Sequence, residues 1–482
     1  MNNFRNIDIS DKYDIHKTKL TESGELLSME IDIIGAGLAG SEAAWQLAER
    51  GHKIRIIEMR PKYMTPAHQT GYAAEMVCSN SFKSDDPSSA TGILKAELQL
   101  MKSLTLSCAE ATRVPAGNSL AVDRSAFAQK VSLKLRSHPN ITWVEDRIDR
   151  VTDNKLTLIA TGPMTADPFA NWLAGICGSE KLFFYDAIAP IVERDSINDS
   201  ITFCASRYNK GGADFINCPM DEKTYNKFVD ALLAAPRVKM REMDISYFEP
   251  CLPIEVMADR GRETLRYGPM KPVGLDDPKT GRYPYAVLQL RQDNLAGDHF
   301  NMVGFQTRLT WGAQREVFRM IPGLESAQFA RLGSIHRNTY VNAPLILDAT
   351  LAVKQIPKLW IAGQLSGVEG YLESAASGLA AAIFIHNYTM GLPPMPLPKE
   401  TMLGGLLNYV AHASIADFCP TNAMIGLLPP IPKEDIDARA LKRTGGTKKL
   451  KAVRNALHKT RALSTLSDFL GKSRLNSIDK IL

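Results

Sequence analysis

The chain has 482 residues, 45% hydrophobic and 23% charged, with a formal net charge of +5. That length supplies two or three well-buried cores, and the composition is ordinary for a soluble globular protein. No run approaches the roughly 18 apolar residues of a membrane span, and residues 1–28 lack the apolar centre of a secretory signal. Those 28 residues read as a flexible extension, with Met29 as an alternative start. The seven cysteines are scattered, and no C-x-x-C occurs. This pattern favours reduced cytoplasmic thiols over a disulfide framework, a local zinc site or a redox dithiol. The charge is uneven: residues 433–482 carry thirteen Lys/Arg against five Asp/Glu. Such a basic tail attracts polyanions such as nucleic acid, or forms a solvated helical face.

In chain order, the apolar run 31–34 predicts a buried parallel strand that runs into Gly35, Gly37 and Gly40, spaced G-x-G-x-x-G. A helical face follows (Ala43, Ala44, Leu47, Ala48), then a second strand at 53–57 ending on Glu58. Gly35 makes the turn, Gly37 admits a pyrophosphate and Gly40 lets helix and strand pack closely. Ala36, Leu38 and Ala39 complete the loop, whose N–H groups face the anion, and Glu58 accepts from a ribose. A Pro/Ser/Gly-rich irregular region spans 61–92, and a helix pattern spans 93–104. Next come a helix at 124–135, a strand at 141–144 and an apolar strand within 154–162. Residues 178–301 differ, with short strand-like runs (182–185, 201–203, 286–290) around one helix at 221–233. They read as an inserted smaller α+β substrate domain. Helical spacing resumes at 314–321. A strand at 358–363 leads into a second glycine-containing loop and small-residue helix, with Gly363, Gln364, Gly370 and Tyr371. Residues 401–482 are mainly helical.

Two strand–glycine–helix units more than 300 residues apart point to FAD rather than an exchanging NAD. The first holds the adenosine diphosphate end, and the second aims a helix N-terminus at the flavin. The expected fold is α/β: a discontinuous Rossmann-like FAD-binding domain of the glutathione-reductase-like flavoprotein type (29–177 and 302–400), the insert, and a helical C-terminal region.

Several longer motifs carry a resemblance. They are VCSNS at 77–81, RVPAG at 113–117, AVDR at 121–124, YDAIAPIV at 185–192 and CPMD at 218–221. With them stand CLPIEVMADRGRETLRYGPMKPVGL at 251–275, VGFQTRLTW at 303–311, GVEGYLESAASG at 367–378 and GLLPP at 426–430. From about residue 31 to 432 the chain resembles the TrmFO family of folate- and FAD-dependent tRNA (uracil-5-)-methyltransferases. The resemblance implies that a methylene group from 5,10-methylenetetrahydrofolate is placed on carbon 5 of the T-loop uridine of tRNA. FAD, reduced by NAD(P)H, then supplies the electrons that make it methyl.

That chemistry calls for an accessible thiolate beside positive charge. Cys251, flanked by Pro250 and Pro253 with Arg260, Arg262 and Arg266 close behind, is the first choice as nucleophile. Cys78 is the second, as the base at carbon 5 or as nucleophile with the roles exchanged. Whether the methylene passes through flavin nitrogen 5 stays open. Tyr371 is expected to stack on the flavin or the pterin, with Glu369 and Glu373 orienting its loop. Arg308 faces a folate carboxylate or a phosphate, or else a structural ion pair. Tyr208, Tyr247, Arg207 and Arg241 in the insert suit base stacking and phosphate contact. Two alternatives remain: the same chemistry on ribosomal RNA, or a plain NAD(P)H-dependent flavin oxidoreductase.

Overall fold

A computed structural model describes residues 28–151, 155–177, 182–239, 252–432, 435–436 and 438–472. Cys251, Tyr247, Arg241 and nearly all of the expected N-terminal extension lie outside them.

The first core is a five-stranded parallel sheet. Strand β1 (Glu30–Ile34) lies at its centre, followed by helix α1 (Leu38–Glu49) and strand β2 (Lys53–Glu58). The spatial order is Leu359–Ile361, Leu156–Ile159, β1, β2, Ile141–Glu145. Ile33 lies beside Ile56 on one side and Leu158 on the other. The central strands are buried on both faces, which is why they read as continuous apolar runs rather than alternating ones. The chain turns to opposite sides of β1 for β2 and for 156–159. The crevice above the carboxyl ends of these strands is therefore the switch point where α/β sheets bind ligands.

The helix Tyr371–Thr389 crosses α1, and its small residues make that possible. A Cβ on Gly378 would lie 2.1 Å from the Ala39 carbonyl oxygen. Ser89, Ser103, Asp123, Asp221 and Thr401 each cap a helix N-terminus through a side-chain oxygen.

The insert is a second core with its own antiparallel six-stranded sheet. Its order is Phe203–Cys204, Phe215–Met220, Ala286–Gln292, His299–Met302, Ile191–Glu193, Phe329–Arg331. Helices Glu222–Ala234, Ile254–Asp259 and Trp311–Phe318 cover one face. This core draws on residues as far as Ala327 and its sheet on Arg331, past the boundary at 301 suggested by composition. The chain enters the insert along Leu182–Ile188 and leaves along Ser334–Tyr340, and these two strands pair with each other.

Two local expectations change. The helix pattern at 93–104 resolves into two helices, Ala90–Leu100 and Leu104–Glu110. Lys102 takes a left-handed conformation (φ +55°), and Ser103 accepts from the Leu106 N–H to start the second helix. The 61–92 region contains a strand, Ser81–Ser84, paired with Ser119–Val122.

Candidate active site

The glycine loop after β1 is built by close contact. Gly35 has φ +97°, and a Cβ there would lie 2.5 Å from the Ala160 carbonyl oxygen. A Cβ on Gly40 would lie 1.9 Å from the Gly35 carbonyl oxygen. Gly37 differs: its added Cβ meets nothing nearer than the Ala160 oxygen at 3.9 Å, so it faces open space. Helix α1 starts there with no side-chain cap, leaving its first N–H groups for an incoming anion.

Glu58 is 4% exposed. Its Oε2 accepts from the Ala36 N–H at 2.8 Å and retains a lone pair. Its Oε1 accepts from the Arg60 N–H (3.0 Å) and Nε (2.9 Å). Burial pushes this carboxyl up, but the Arg60 charge and the N–H bonds prevail and hold it below the usual range. Ile34, Gly35, Ile57, Glu58, Thr161 and Phe169 line an open cleft at the carboxyl ends of the strands. Free N–H groups, open space at Gly37 and a buried acceptor together fit the adenosine diphosphate half of a dinucleotide.

The second glycine unit meets the first. The Gly363 N–H donates to Ser377 Oγ at 2.8 Å, and a Cβ on Gly363 would touch Ala39 Cβ at 3.0 Å. Gln364 donates to Glu369 Oε2. The helix Tyr371–Thr389 starts at Gly370 without a side-chain cap.

Tyr371 brings Cys78 to this helix start, from 293 residues away in the chain. The Tyr371 hydroxyl accepts the Cys78 N–H at 2.8 Å and the Ser79 N–H at 3.3 Å, and lies 3.0 Å from Cys78 Sγ. Burial, then the Asp186 charge, push the Cys78 thiol up to about 12, with Glu369 adding to the rise. The Tyr371 hydrogen bond and the Arg124 charge oppose that rise. Burial and Asp186 likewise raise the Glu369 carboxyl to about 8, so it is protonated near neutral pH. Glu373 is sealed from solvent and paired with Lys83 at 2.8 Å.

Other expected residues have structural partners. The Arg308 N–H donates to Glu255 Oε1 at 2.8 Å, and its guanidinium lies 4.0 Å from the same carboxylate. Arg262 pairs with Asp230 at 2.6 Å. Arg266 pairs with Glu263 and stacks 3.5 Å over the Tyr285 ring. Arg207 spends its donors on the Lys271 and Val273 carbonyls and on Gln289. Tyr208 is 56% exposed.

Sequence reasoning overlooked Arg124, Arg291, Arg331 and Asp293, whose charges all act on the Cys78–Tyr371 pair or on one another. A signal existed for Arg291. In the strand Ala286–Gln292, Leu288 and Leu290 face the insert core, so the period of two turns Gln289 and Arg291 to the opposite face.

A family model described as glucose inhibited division protein A matches residues 30–393. A curated protein from Desulforudis audaxviator named methylenetetrahydrofolate--tRNA-(uracil-5-)-methyltransferase TrmFO is 49% identical over 445 residues, 92% of this chain and 99% of its own. One of the same name from Koribacter versatilis is 52% identical over 407 residues, 84% of this chain and 92% of its own. Among solved structures, Aquifex aeolicus GidA superposes with a TM-score of 0.64 at 15% identity, covering 92% of this chain and 73% of that one. That likeness fixes the fold as the Rossmann-like α/β type with an insert.

Proposed function

The chain belongs to the TrmFO family of methylenetetrahydrofolate--tRNA-(uracil-5-)-methyltransferases, and from that membership we propose how its residues carry the reaction. It moves the methylene carbon of 5,10-methylenetetrahydrofolate to carbon 5 of a tRNA uridine and converts it to methyl. The target is the T-loop uridine, and NAD(P)H is the reductant. FAD, bound there, supplies the electrons for the methylene-to-methyl reduction. Gly35, Ala36, Gly37, Leu38, Ala39, Gly40 and Glu58 hold its adenosine diphosphate half, and Gly363, Gln364, Gly370 and Tyr371 border the flavin half.

Carbon 5 of uracil is a weak nucleophile. A thiolate that adds to carbon 6 makes it an enolate, which forms the new bond to the methylene carbon. Cys251 takes this role. Cys78 and Tyr371 handle the proton that carbon 5 must then lose. The Tyr371 oxygen already accepts two backbone N–H bonds, which leaves its own hydrogen directed at Cys78 Sγ. Cys78 takes the carbon 5 proton as the thiolate, once its own proton has passed to solvent; the Tyr371 bond and the Arg124 charge favour that form, and burial and the Asp186 charge oppose it. Loss of that proton expels the folate nitrogen and leaves an exocyclic methylene on carbon 5; its two-electron reduction to methyl then restores the ring and lets the carbon 6 thiolate leave.

The observation that carries this reading is the sulfur–hydroxyl contact of 3.0 Å at the start of the helix whose glycine loop packs on α1. The test follows labelled methylene carbon from the folate into tRNA. Wild type transfers label. Cys251→Ala forms no covalent RNA complex and transfers none. Cys78→Ala forms the complex but yields product at least about 100-fold more slowly, the low end for general acid–base catalysis. Label arriving from S-adenosylmethionine, or full transfer by both variants, overturns the reading.

A further inference from the structure

The charges of three guanidinium groups act on the Cys78–Tyr371 pair. Arg124, first residue of the helix Arg124–Arg136, is 12% exposed and pairs with Asp293, its Nη2 2.7 Å from Oδ1. Arg291 donates from Nε to Asn80 Oδ1 at 3.0 Å. Asn80 is fully buried and fixed in turn, because its Nδ2 donates to the Val122 and Gln292 carbonyls, both at 3.0 Å. Among the described residues Arg331 reaches only the Ala67 carbonyl, at 3.4 Å.

Neither Arg291 nor Arg331 has an ion pair among the described residues, and the two terminal nitrogens of Arg291 make no hydrogen bond among them. Burial lowers both groups; the Asp293 charge opposes that at each, and the like charge of Arg124 adds to it. An arginine cannot relieve such a position by losing its proton, and both guanidinium groups are partly buried. Glu369, protonated near neutral pH, supplies no countercharge. Asp293, already paired with Arg124, is one carboxylate against three guanidinium groups, so the cluster suits an added anion.

We propose that Arg291 and Arg331 bind the phosphodiester of the nucleotide whose base reaches Cys78. The proposal rests on the RNA-methylating function above and names how the substrate is held. A base treated at carbon 5 must leave its stack, and its own phosphate then enters the site one sugar away. The folate carboxylates are poorer candidates, because they lie beyond the aminobenzoyl ring from the reacting methylene. The planar fork of arginine also matches paired phosphate oxygens. Asn80, two residues after Cys78, fixes the Arg291 fork relative to the sulfur, so the phosphate contact would set where carbon 5 falls.

The test is a thermodynamic cycle using a T-arm hairpin RNA. One form carries natural phosphates, and the other a neutral methylphosphonate on either side of the target uridine. Wild type should bind the neutralised RNA about 10-fold or more weakly, as expected for a charge-assisted bond. Arg291→Gln and Arg331→Gln should show the same loss on natural RNA and little further loss on the neutralised RNA. Their slope of log affinity against log salt should be shallower by nearly one, as when one phosphate keeps its counterion. Arg291→Lys should recover part of the affinity. FAD content and tetrahydrofolate affinity should stay at wild-type values. Equal binding of the two RNAs by wild type overturns the proposal without any variant, and so does a variant that loses folate rather than RNA affinity. Absence of methyl transfer by wild type would overturn the proposed function, whereas the coupling between arginine and phosphate decides this inference.

Discussion

A phenol oxygen that accepts two backbone N–H bonds leaves one direction for its own hydrogen, and in Tyr371 that direction is a sulfur. Tyr371→Phe removes that donor and strands the Cys78 and Ser79 N–H groups. Because the hydrogen bond lowers the thiol, its loss moves the rising limb of the pH–rate profile to higher pH. At neutral pH methyl transfer should fall at least about 100-fold, with FAD content unchanged. Single-turnover transfer across a pH series checks both. The glycines of the first loop were legible in the sequence because each answers a contact set by the β-α-β unit itself. Glu58 was legible for the same reason. The Cys78–Tyr371 contact was not, since nothing local marks two residues 293 positions apart as neighbours. The sequence suggested a stacking ring at Tyr371, and its hydroxyl also engages Cys78 and Ser79. Arg291 was half legible: the period of two gave its face but not what that face meets.

Between elements, the packing of α1 on the helix Tyr371–Thr389 is reinforced by two histidines. His52, just past α1, and His386, near the end of the later helix, approach to 2.9 Å between Nε2 and Nδ1. Burial, with the Arg50 charge adding to it, lowers His52 to about 4 and His386 to about 3. The unfolded chain takes up these protons near the ordinary value of 6.5, so between there and pH 4 it binds more protons than the folded protein. Stability is full above pH 6.5 and falls as pH drops, by up to about 1.4 kcal/mol per pH unit for each imidazole. Substituting His52→Phe with His386→Leu should flatten that part of the profile of Tm against pH. The strands and helices themselves were read well wherever the apolar period ran for more than a turn or two. The strand Ser81–Ser84 escaped because four residues carry too little pattern among prolines and serines. The break at Lys102 escaped because apolar spacing continues straight across it.

At the scale of the whole molecule, charge and catalysis lie on different parts of the chain. The helix Ala438–Lys472 carries ten Lys/Arg against a single Asp, and it docks through a buried stripe of Asn455, His458, Ala462 and Leu466. Asn455 also donates to the Ser88 carbonyl at 2.9 Å. Neutralising Lys448, Lys449 and Lys451 together to Ala should weaken binding of full-length tRNA and flatten its salt dependence. The slope should fall by about 0.9 for each phosphate these lysines had neutralised. Methyl transfer to a minimal T-arm hairpin should hardly change. The crossing of α1 by the helix that ends at Thr389 also has a consequence for biosynthesis. The ribosome finishes α1 some 340 residues before its partner helix is complete. At roughly 5–20 residues per second that interval is about 17–70 s. For that time the face of α1 that meets the later helix has no cover, while the insert is made in between. A site built from both glycine loops is therefore complete only near the end of translation.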